Sequence, residues 1–179
     1  MGRLQTEFER VALPQTANLL RFARRLTPQN SDAEDLVQET LLSAWRGFSK
    51  FQKGTDIRAW LFRILINAHH GRLRTLVVEP PMEQLEQQMA VAATSHTERL
   101  GIERALAALP PTQRAVLLLQ AVEGFTCREI SEILFVPIGT VMSRLSRARE
   151  AMRYQLLTIV RRYRVSSEAG TLARKTSLR

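Results

Sequence analysis

With 179 residues, 45% of them hydrophobic and 24% charged, the chain is large enough for one or two small globular domains. Its formal net charge of +9 indicates a polyanionic partner such as nucleic acid. The single cysteine, Cys127, excludes an intrachain disulfide, and the three histidines lack the spacing of a zinc site, so we expect neither a metal nor another cofactor.

Two amphipathic helices are predicted at the start of the chain. The first covers residues 7–26 and is expected to kink or restart at Pro14. Ser31 and Glu34 have the spacing of a capping box, which predicts a second helix that continues to about residue 50. The acidic residues in the first turn of this second helix are favoured by the helix dipole.

A third helix is predicted from about residue 56 to residue 73, after a loop at residues 51–55. Its apolar positions recur with the helical period, which indicates a buried face. Another stripe of the same helix is polar and consists of Arg63, Asn67, His70 and Arg74. Three such helices are enough for a small bundle, and we assign residues 1–76 to this first domain.

The composition changes after the first domain. Residues 76–100 carry a net charge of −3 and include Glu79-Pro80-Pro81, which interrupts the helical period. We therefore predict a flexible linker over residues 77–97. At the other end of the chain, residues 158–179 carry a net charge of +5 and few core-forming side chains, which predicts a frayed or disordered basic tail.

Residues 98–157 contain a pattern typical of a helix-turn-helix. Thr126 and Glu129 form a second capping box before a short helix, and Phe135-Val136 is the predicted turn. The next helix, over residues 138–157, has an apolar stripe and a separate face that carries Thr140, Ser143, Arg144 and Arg147. Such a face suits the DNA major groove. The pattern alone also fits a helical hairpin whose arginines are only solvated.

Two segments resemble a known protein family. Residues 32–74, which begin DAEDLVQETLLSAW, look like region 2 of a bacterial RNA polymerase sigma factor. Residues 105–153, which include FTCREISEILFVPIGTVMSRLSRAREAMR, look like region 4. Because only a linker separates the two segments, the chain is similar to the extracytoplasmic-function (ECF) group. The resemblance implies an all-α fold of two small helical domains, a region 2 bundle of three or four helices and a region 4 helix-turn-helix domain.

The resemblance also implies DNA contacts. Region 4 would place its recognition helix in the major groove of the −35 element, with contacts from Thr140, Ser143, Arg144 and Arg147, and Arg149 would meet the phosphate backbone of the same element. Region 2 would recognise and melt the −10 element, with contacts from Lys53, Gly54, Thr55, Asp56, Arg58, Arg63, Asn67, His70 and Arg74. For Trp60 and Phe62 two interpretations stay open, since each ring either stacks on an unpaired base or belongs to the core.

Core RNA polymerase is the protein partner that the resemblance implies. The family docks region 2 on the coiled coil of the β′ subunit and region 4 on the β flap. The resemblance implies that the contacts with β′ come from Asp35, Gln38, Glu39 and Leu42. A sigma factor of this group directs promoter-specific initiation in the cytoplasm, often in a stress or envelope response and often under an anti-sigma factor.

Two other classes of protein remain as alternatives. A stand-alone helix-turn-helix regulator would bind duplex DNA without polymerase, and the acidic second helix and the Lys53-Gly54-Thr55 loop argue against it. An enzyme such as a recombinase would need a nucleophile among convergent basic residues or a metal cluster. The sequence offers neither arrangement, so we expect a protein without catalytic residues. No apolar run approaches the roughly 20 residues that span a bilayer, and no signal peptide is evident, which favours the cytoplasm.

Overall fold

The computed structural model describes residues 2–52, 54–78 and 97–176. Every long regular element within these residues is an α-helix, which confirms the all-α prediction. Short 3-10 turns at Leu13–Gln15 and Phe48–Lys50 follow the first and third helices. The helices are α1 (Gly2–Ala12), α2 (Thr16–Leu26), α3 (Asn30–Gly47), α4 (Ile57–Val78), α5 (Thr97–Ala107), α6 (Pro111–Ala121), α7 (Cys127–Leu134) and α8 (Ile138–Thr176).

Helices α1 to α4 form the first bundle. The break between α1 and α2 lies at the 3-10 turn that contains Pro14, as the sequence predicts, because proline cannot donate the backbone hydrogen bond of a helix interior. Helix α3 packs against both α2 and α4. The bundle core includes Leu19, Leu36, Leu61 and Leu65, each with no exposed surface.

The predicted capping box at the start of α3 is wrong. The helix begins at Asn30, so Ser31 already lies inside its first turn and cannot act as the N-cap. Gln29 holds the N-cap position, without a side-chain hydrogen bond to the helix. The carboxylate of Glu34 instead lies 3.5 Å from the guanidinium of Arg24, where both side chains are exposed.

Helices α5 to α8 form the second bundle, and here the capping box is confirmed. The backbone N–H of Glu129 donates to Thr126 Oγ1 at 3.3 Å, and the backbone N–H of Thr126 donates to Glu129 Oε2 at 2.7 Å. Gly124 adopts a φ of +76° between α6 and α7, a conformation that few other residues adopt without strain.

Helix α8 is longer than the sequence pattern predicts. We expected it to end near Leu157 and a disordered basic tail to follow, but the helix continues to Thr176. Residues 158–176 contain no proline and a single glycine, so their high positive charge is not accompanied by a local signal that ends a helix.

The two bundles pack against each other. The ring of Phe62 on α4 lies between Phe22 of the first bundle, at 4.9 Å, and Phe125 of the second, at 5.6 Å, both in edge-to-face geometry. Arg114 of α6 crosses the interface and donates from Nη1 to the carbonyl oxygen of Leu26 at 3.0 Å. The buried side chains of both bundles therefore form one continuous cluster.

Replacing Thr126 with alanine breaks the capping box and leaves the backbone N–H of Glu129 without its acceptor. We expect Thr126→Ala to lower the free energy of unfolding by about 1 kcal/mol. Ser31→Ala is the matched control, because Ser31 belongs to the capping box that does not form. Urea unfolding followed by circular dichroism measures both variants, and equal losses for the two would contradict the assignment.

Acid should weaken the fold through His69, which is only 6% exposed on α4. Burial is the main reason that its pKa is lowered from 6.5 to about 4, and the neighbouring groups His70, Arg114 and Arg72 act in the same direction. Between these two pH values the unfolded chain binds a proton that the native chain does not. The free energy of unfolding therefore falls as the pH drops from about 6.5 to about 4.

We expect the fold to be roughly 1–2 kcal/mol less stable at pH 5 than at pH 7.5 through this histidine. Urea unfolding at the two pH values, followed by tryptophan fluorescence, measures the difference. In His69→Gln the difference should shrink, whatever the stability of that variant at pH 7.5. An unchanged difference would show that His69 does not cause the acid sensitivity.

Candidate nucleic-acid and polymerase interfaces

The start of α8 has the two faces that the sequence predicts. Val141, Leu145 and Ala148 are buried on one side, where α8 packs on α6 and α7. The other side carries four polar residues that we call the reading face, of which Ser143 and Arg147 are exposed and Thr140 and Arg144 half-buried. The hydroxyl of Ser143 donates to the carbonyl of Thr140 at 3.0 Å. These four side chains can meet the base edges of a major groove.

Arg149 does not belong to the reading face. It lies half a helical turn away from Thr140, since nine residues at 100° each end on the opposite side of the helix. Its Nη2 donates to Gln120 Oε1 at 2.6 Å, next to a groove that Cys127 also lines. The structure thus brings together four of the five residues predicted for the −35 element.

The turn between α7 and α8 has an unusual conformation. Phe135 caps α7 with a φ of +52°, in the left-handed region that favours glycine, and its side chain is 75% exposed. The hydroxyl of Ser131 donates to the carbonyl of Val136 at 2.6 Å and closes the turn. A rigid turn sets the angle at which α8 leaves α7.

The loop before α4 is exposed. Gly54 adopts a φ of +97°, and the Thr55 hydroxyl donates to the carbonyl of Gln52 at 2.7 Å. Asp56 accepts the backbone N–H of Arg58 at 2.8 Å, so its carboxylate caps the start of α4. Lys53, the cation predicted for this loop, lies outside the described residues.

Some side chains in the polar stripe of α4 are exposed to solvent and others are half-buried. Asn67 and Arg74 are exposed, whereas His70 is half-buried and its Nε2 has no hydrogen-bond partner. Burial lowers the pKa of His70 most, followed by the charges of Arg74 and Arg144. Arg144, whose charge acts on His70, belongs to the reading face of α8.

Arg58 is bound by the second bundle. Its Nη2 donates to the backbone carbonyl of Glu123 at 2.6 Å and to the carboxylate of the same residue at 3.2 Å. Its guanidinium also lies 4.7 Å from the centre of the Phe125 ring. The side chain of Glu123 is only 4% exposed, so Arg58 supplies the countercharge that a buried carboxylate requires.

Arg63, which follows Arg58 on α4 by five residues, is also bound by the second bundle. Its Nη2 donates to the backbone carbonyl of Glu132 at 2.6 Å. Its guanidinium lies 4.1 Å from the centre of the Phe135 ring, which is the geometry of a cation–π contact. Two arginines predicted to contact the −10 element are therefore engaged by the second bundle.

A second candidate surface lies on α3. Asp35, Gln38 and Leu42 are exposed, and Leu42 is 57% exposed despite its apolar side chain. Glu39 is exposed as well, but its carboxylate accepts a hydrogen bond from Arg72 Nε of α4 at 2.9 Å and lies 2.7 Å from Arg72 Nη2. We call these four residues the docking face, and their mixture of apolar and acidic groups suits a protein partner.

The aromatic side chains of α4 take different positions. Phe62 is 1% exposed and belongs to the core, so the core interpretation is confirmed for this ring. Trp60 is half-buried and lies 5.0 Å from the ring of Phe51. Trp45 on α3 is 39% exposed and contacts Phe8 edge to face at 5.3 Å.

Sequence reasoning missed the residues that join the two bundles. Arg114, Glu123 and Phe135 have no periodicity or motif that assigns them to an interface. One weak signal exists at Phe135, since a large aromatic residue is unusual in a turn that favours glycine. Among the described residues we find no helix that could cross a membrane and no group of side chains suited to a metal ion.

Comparison with known proteins agrees with this geometry. Residues 17–76 match the family model of Sigma-70 region 2, and residues 99–152 match that of Sigma-70, region 4. ECF RNA polymerase sigma factor SigM of Mycobacterium tuberculosis is 35% identical over 73% of this chain and 67% of its own length. EcfG of Rhodopseudomonas palustris is 36% identical over 75% of this chain and 77% of its own length.

Two solved structures share the fold. The sigma factor RpoE of Bartonella quintana, in complex with the anti-sigma factor NepR, superposes with a TM-score of 0.71 at 30% identity over 84% of this chain and 96% of its own. CnrH, in complex with the cytosolic domain of CnrY, superposes with a TM-score of 0.65 at 25% identity over 86% of this chain and 90% of its own. With both regions matched in the same order, the chain belongs to the ECF RNA polymerase sigma factors, which direct transcription.

Proposed function

We propose that this sigma factor binds core RNA polymerase through residues 1–76, as region 2, and reads the upstream promoter element through residues 98–157, as region 4. The observation that carries the proposal is the pair of exposed faces on separate bundles. The docking face lies on α3 and the reading face on α8, and each presents the groups that its partner would recognise. Residues 77–97 connect the two regions.

The reading face suits base recognition in the −35 element. Arginine donates two parallel hydrogen bonds to the O6 and N7 atoms of guanine, and the hydroxyls of serine and threonine serve either kind of base. Arg144 and Arg147 are one turn apart on this face, which lets them reach neighbouring base pairs. We assign Arg149, on the opposite side of α8, to the phosphate backbone rather than to a base.

Region 2 would act on the −10 element. Opening a promoter requires bases to leave the stack, at a cost of a few kcal/mol each, and an unpaired base needs a site that holds it. The exposed loop at Gly54-Thr55 offers backbone groups for such a base. Lys53, Asp56 and the polar stripe of α4 would follow the single strand, through Arg58, Arg63, Asn67, His70 and Arg74.

We propose the coiled coil of the β′ subunit as the partner of the docking face and the β flap as the partner of region 4. The cytoplasm is the compartment in which these partners occur. RpoE and CnrH were solved with partner proteins, NepR as an anti-sigma factor and the cytosolic domain of CnrY. By analogy we propose an anti-sigma factor for this chain, released in a stress or envelope response, and no catalytic activity of its own.

Co-elution with core RNA polymerase in gel filtration tests the proposed function first. We expect the wild-type chain to co-elute and the double variant Asp35→Ala, Gln38→Ala to bind at least tenfold more weakly, because it loses two polar contacts of the docking face. Glu9→Ala is the matched control, since it removes an exposed carboxylate from α1. A chain that does not bind polymerase but binds duplex DNA tightly by itself is a stand-alone regulator.

Arg144→Ala tests the assignment of the reading face. Loss of a bidentate contact to guanine costs about 1–3 kcal/mol and should relax selectivity at one or two base pairs of the upstream element. Transcription in vitro from a promoter library randomised in that element, followed by sequencing of the transcribed templates, measures the change. Arg104→Ala on α5 removes the same charge elsewhere, and equal selectivity profiles for the two variants would remove Arg144 from the reading face.

A further inference from the structure

Helix α8 carries one more candidate residue on the side of the reading face. Tyr154 follows Arg147 by seven residues, which is close to two turns of an α-helix, so both side chains lie on nearly the same side of α8. The helix continues without a break from Ile138 to Thr176, so Tyr154 has a fixed position relative to Arg147. The match with region 4 ends at residue 152, and Tyr154 lies beyond it.

The side chain of Tyr154 is accessible to a partner. It is 70% exposed, and its hydroxyl makes no hydrogen bond within the part of the chain that the structure describes. Its backbone carbonyl, in contrast, accepts the Thr158 hydroxyl at 3.0 Å, as part of the helix. The phenol hydroxyl can donate one hydrogen bond, and the ring adds a flat apolar face.

An open recess lies on α8 between Arg147 and Tyr154. It has a volume of about 340 Å³, and Glu150, Ala151 and Gln155 complete its lining. Glu150 and Gln155 are five residues apart, which places them at opposite edges of the recess. The carboxylate of Glu150 disfavours an anion at its own edge. The edge next to Gln155 offers donors from the guanidinium, the phenol and the amide.

The position of Tyr154 along the helix fits the edge of a major groove. The first turns of a recognition helix contact the base edges, and here these turns carry Thr140 to Arg147. Tyr154 lies about 10 Å further along the helix axis than Arg147. This distance is comparable to the width of the major groove, about 12 Å, so the nearest DNA groups are phosphates of the groove wall. Tyrosine is among the side chains that donate to such phosphates.

We propose that the hydroxyl of Tyr154 donates to one backbone phosphate at the edge of the −35 element, with the amide of Gln155 beside it. A contact of this kind fixes the register in which the reading face meets the bases, so Tyr154 is a positioning residue. The inference rests on the proposed function of region 4 and adds a contact outside the matched residues. Every sequence has the same phosphates, so the contact adds affinity without base selectivity. The phenol is neutral and releases no counterion, so it adds no salt dependence.

Tyr154→Phe tests the proposal, because it removes the hydroxyl and keeps the ring. The protein is the full chain bound to core polymerase, and the DNA is a promoter that the wild-type holoenzyme transcribes from the randomised library. We expect the variant holoenzyme to bind this promoter about fivefold more weakly, since a hydrogen bond to a charged group is lost. The dependence of affinity on salt and the selectivity for bases should both equal those of the wild type.

A scan of the DNA backbone identifies the phosphate. Each phosphate of the −35 element and its flanks is replaced in turn by an uncharged methylphosphonate. We expect the wild-type holoenzyme to lose affinity at several positions. At one position at the edge of the element, the loss in Tyr154→Phe should be about fivefold smaller than in the wild type, because the hydroxyl and the phosphate act as a pair. At all other positions the two losses should agree.

Ser146→Ala is the matched control. It also removes a hydroxyl from an exposed side chain of α8, but this side chain lies in the groove that Cys127 lines, away from the reading face. We expect Ser146→Ala to equal the wild type in affinity and at every position of the scan. Arg144→Ala provides the opposite comparison, because it should change the selectivity for bases.

Three results would overturn the proposal. Equal promoter affinity of Tyr154→Phe and the wild type rejects the contact. Weaker binding with equal losses at every methylphosphonate shows that the hydroxyl does not act on a phosphate. A changed base selectivity in Tyr154→Phe makes Tyr154 a residue that reads bases and rejects the neutral backbone contact. The proposed function fails separately, if the wild-type chain does not co-elute with core polymerase or its holoenzyme selects no promoter from the library.

Discussion

The position of α4 is the constraint on which the rest of the structure depends. Leu61 and Leu65 on this helix are fully buried in the first bundle, and the next face along carries Phe62, which contacts both Phe22 and Phe125. One helix thus contributes to the core of region 2 and to the interface with region 4. Its polar stripe is also the proposed strand-binding surface, of which region 4 binds Arg63 while Asn67 and Arg74 stay exposed.

The bonds between the two regions share one chemistry. Arg58, Arg63 and Arg114 each donate to a backbone carbonyl at or just beyond the C-terminal end of a helix in the other region: Glu123, Glu132 and Leu26 respectively. Helix ends expose unsatisfied carbonyls and the negative end of the dipole, which favours a guanidinium there.

Local sequence signals predicted several features of the individual helices. The break at Pro14, the capping box of Thr126 with Glu129 and the two faces of α8 all follow from interactions within one or two helical turns. The failures are local as well. Ser31 is not an N-cap because α3 begins two residues earlier than predicted, with Gln29 at the N-cap. Helix α8 continues past Leu157 because high charge alone does not end a helix.

The sequence by itself determined the helical class, the polar stripe of α4 and the two faces of α8, because periodicity acts along the chain. The order of the two sigma regions and the candidate face on α3 came from the resemblance of two segments to a known family. Only the tertiary structure decided that Arg58 and Arg63 meet Glu123, Glu132 and Phe135. Glu123 lies 65 residues from Arg58 in the sequence and Glu132 lies 69 residues from Arg63, and no repeat or spacing links them. Contacts of that kind depend on how two finished bundles fit together, which the pattern within each helix does not encode.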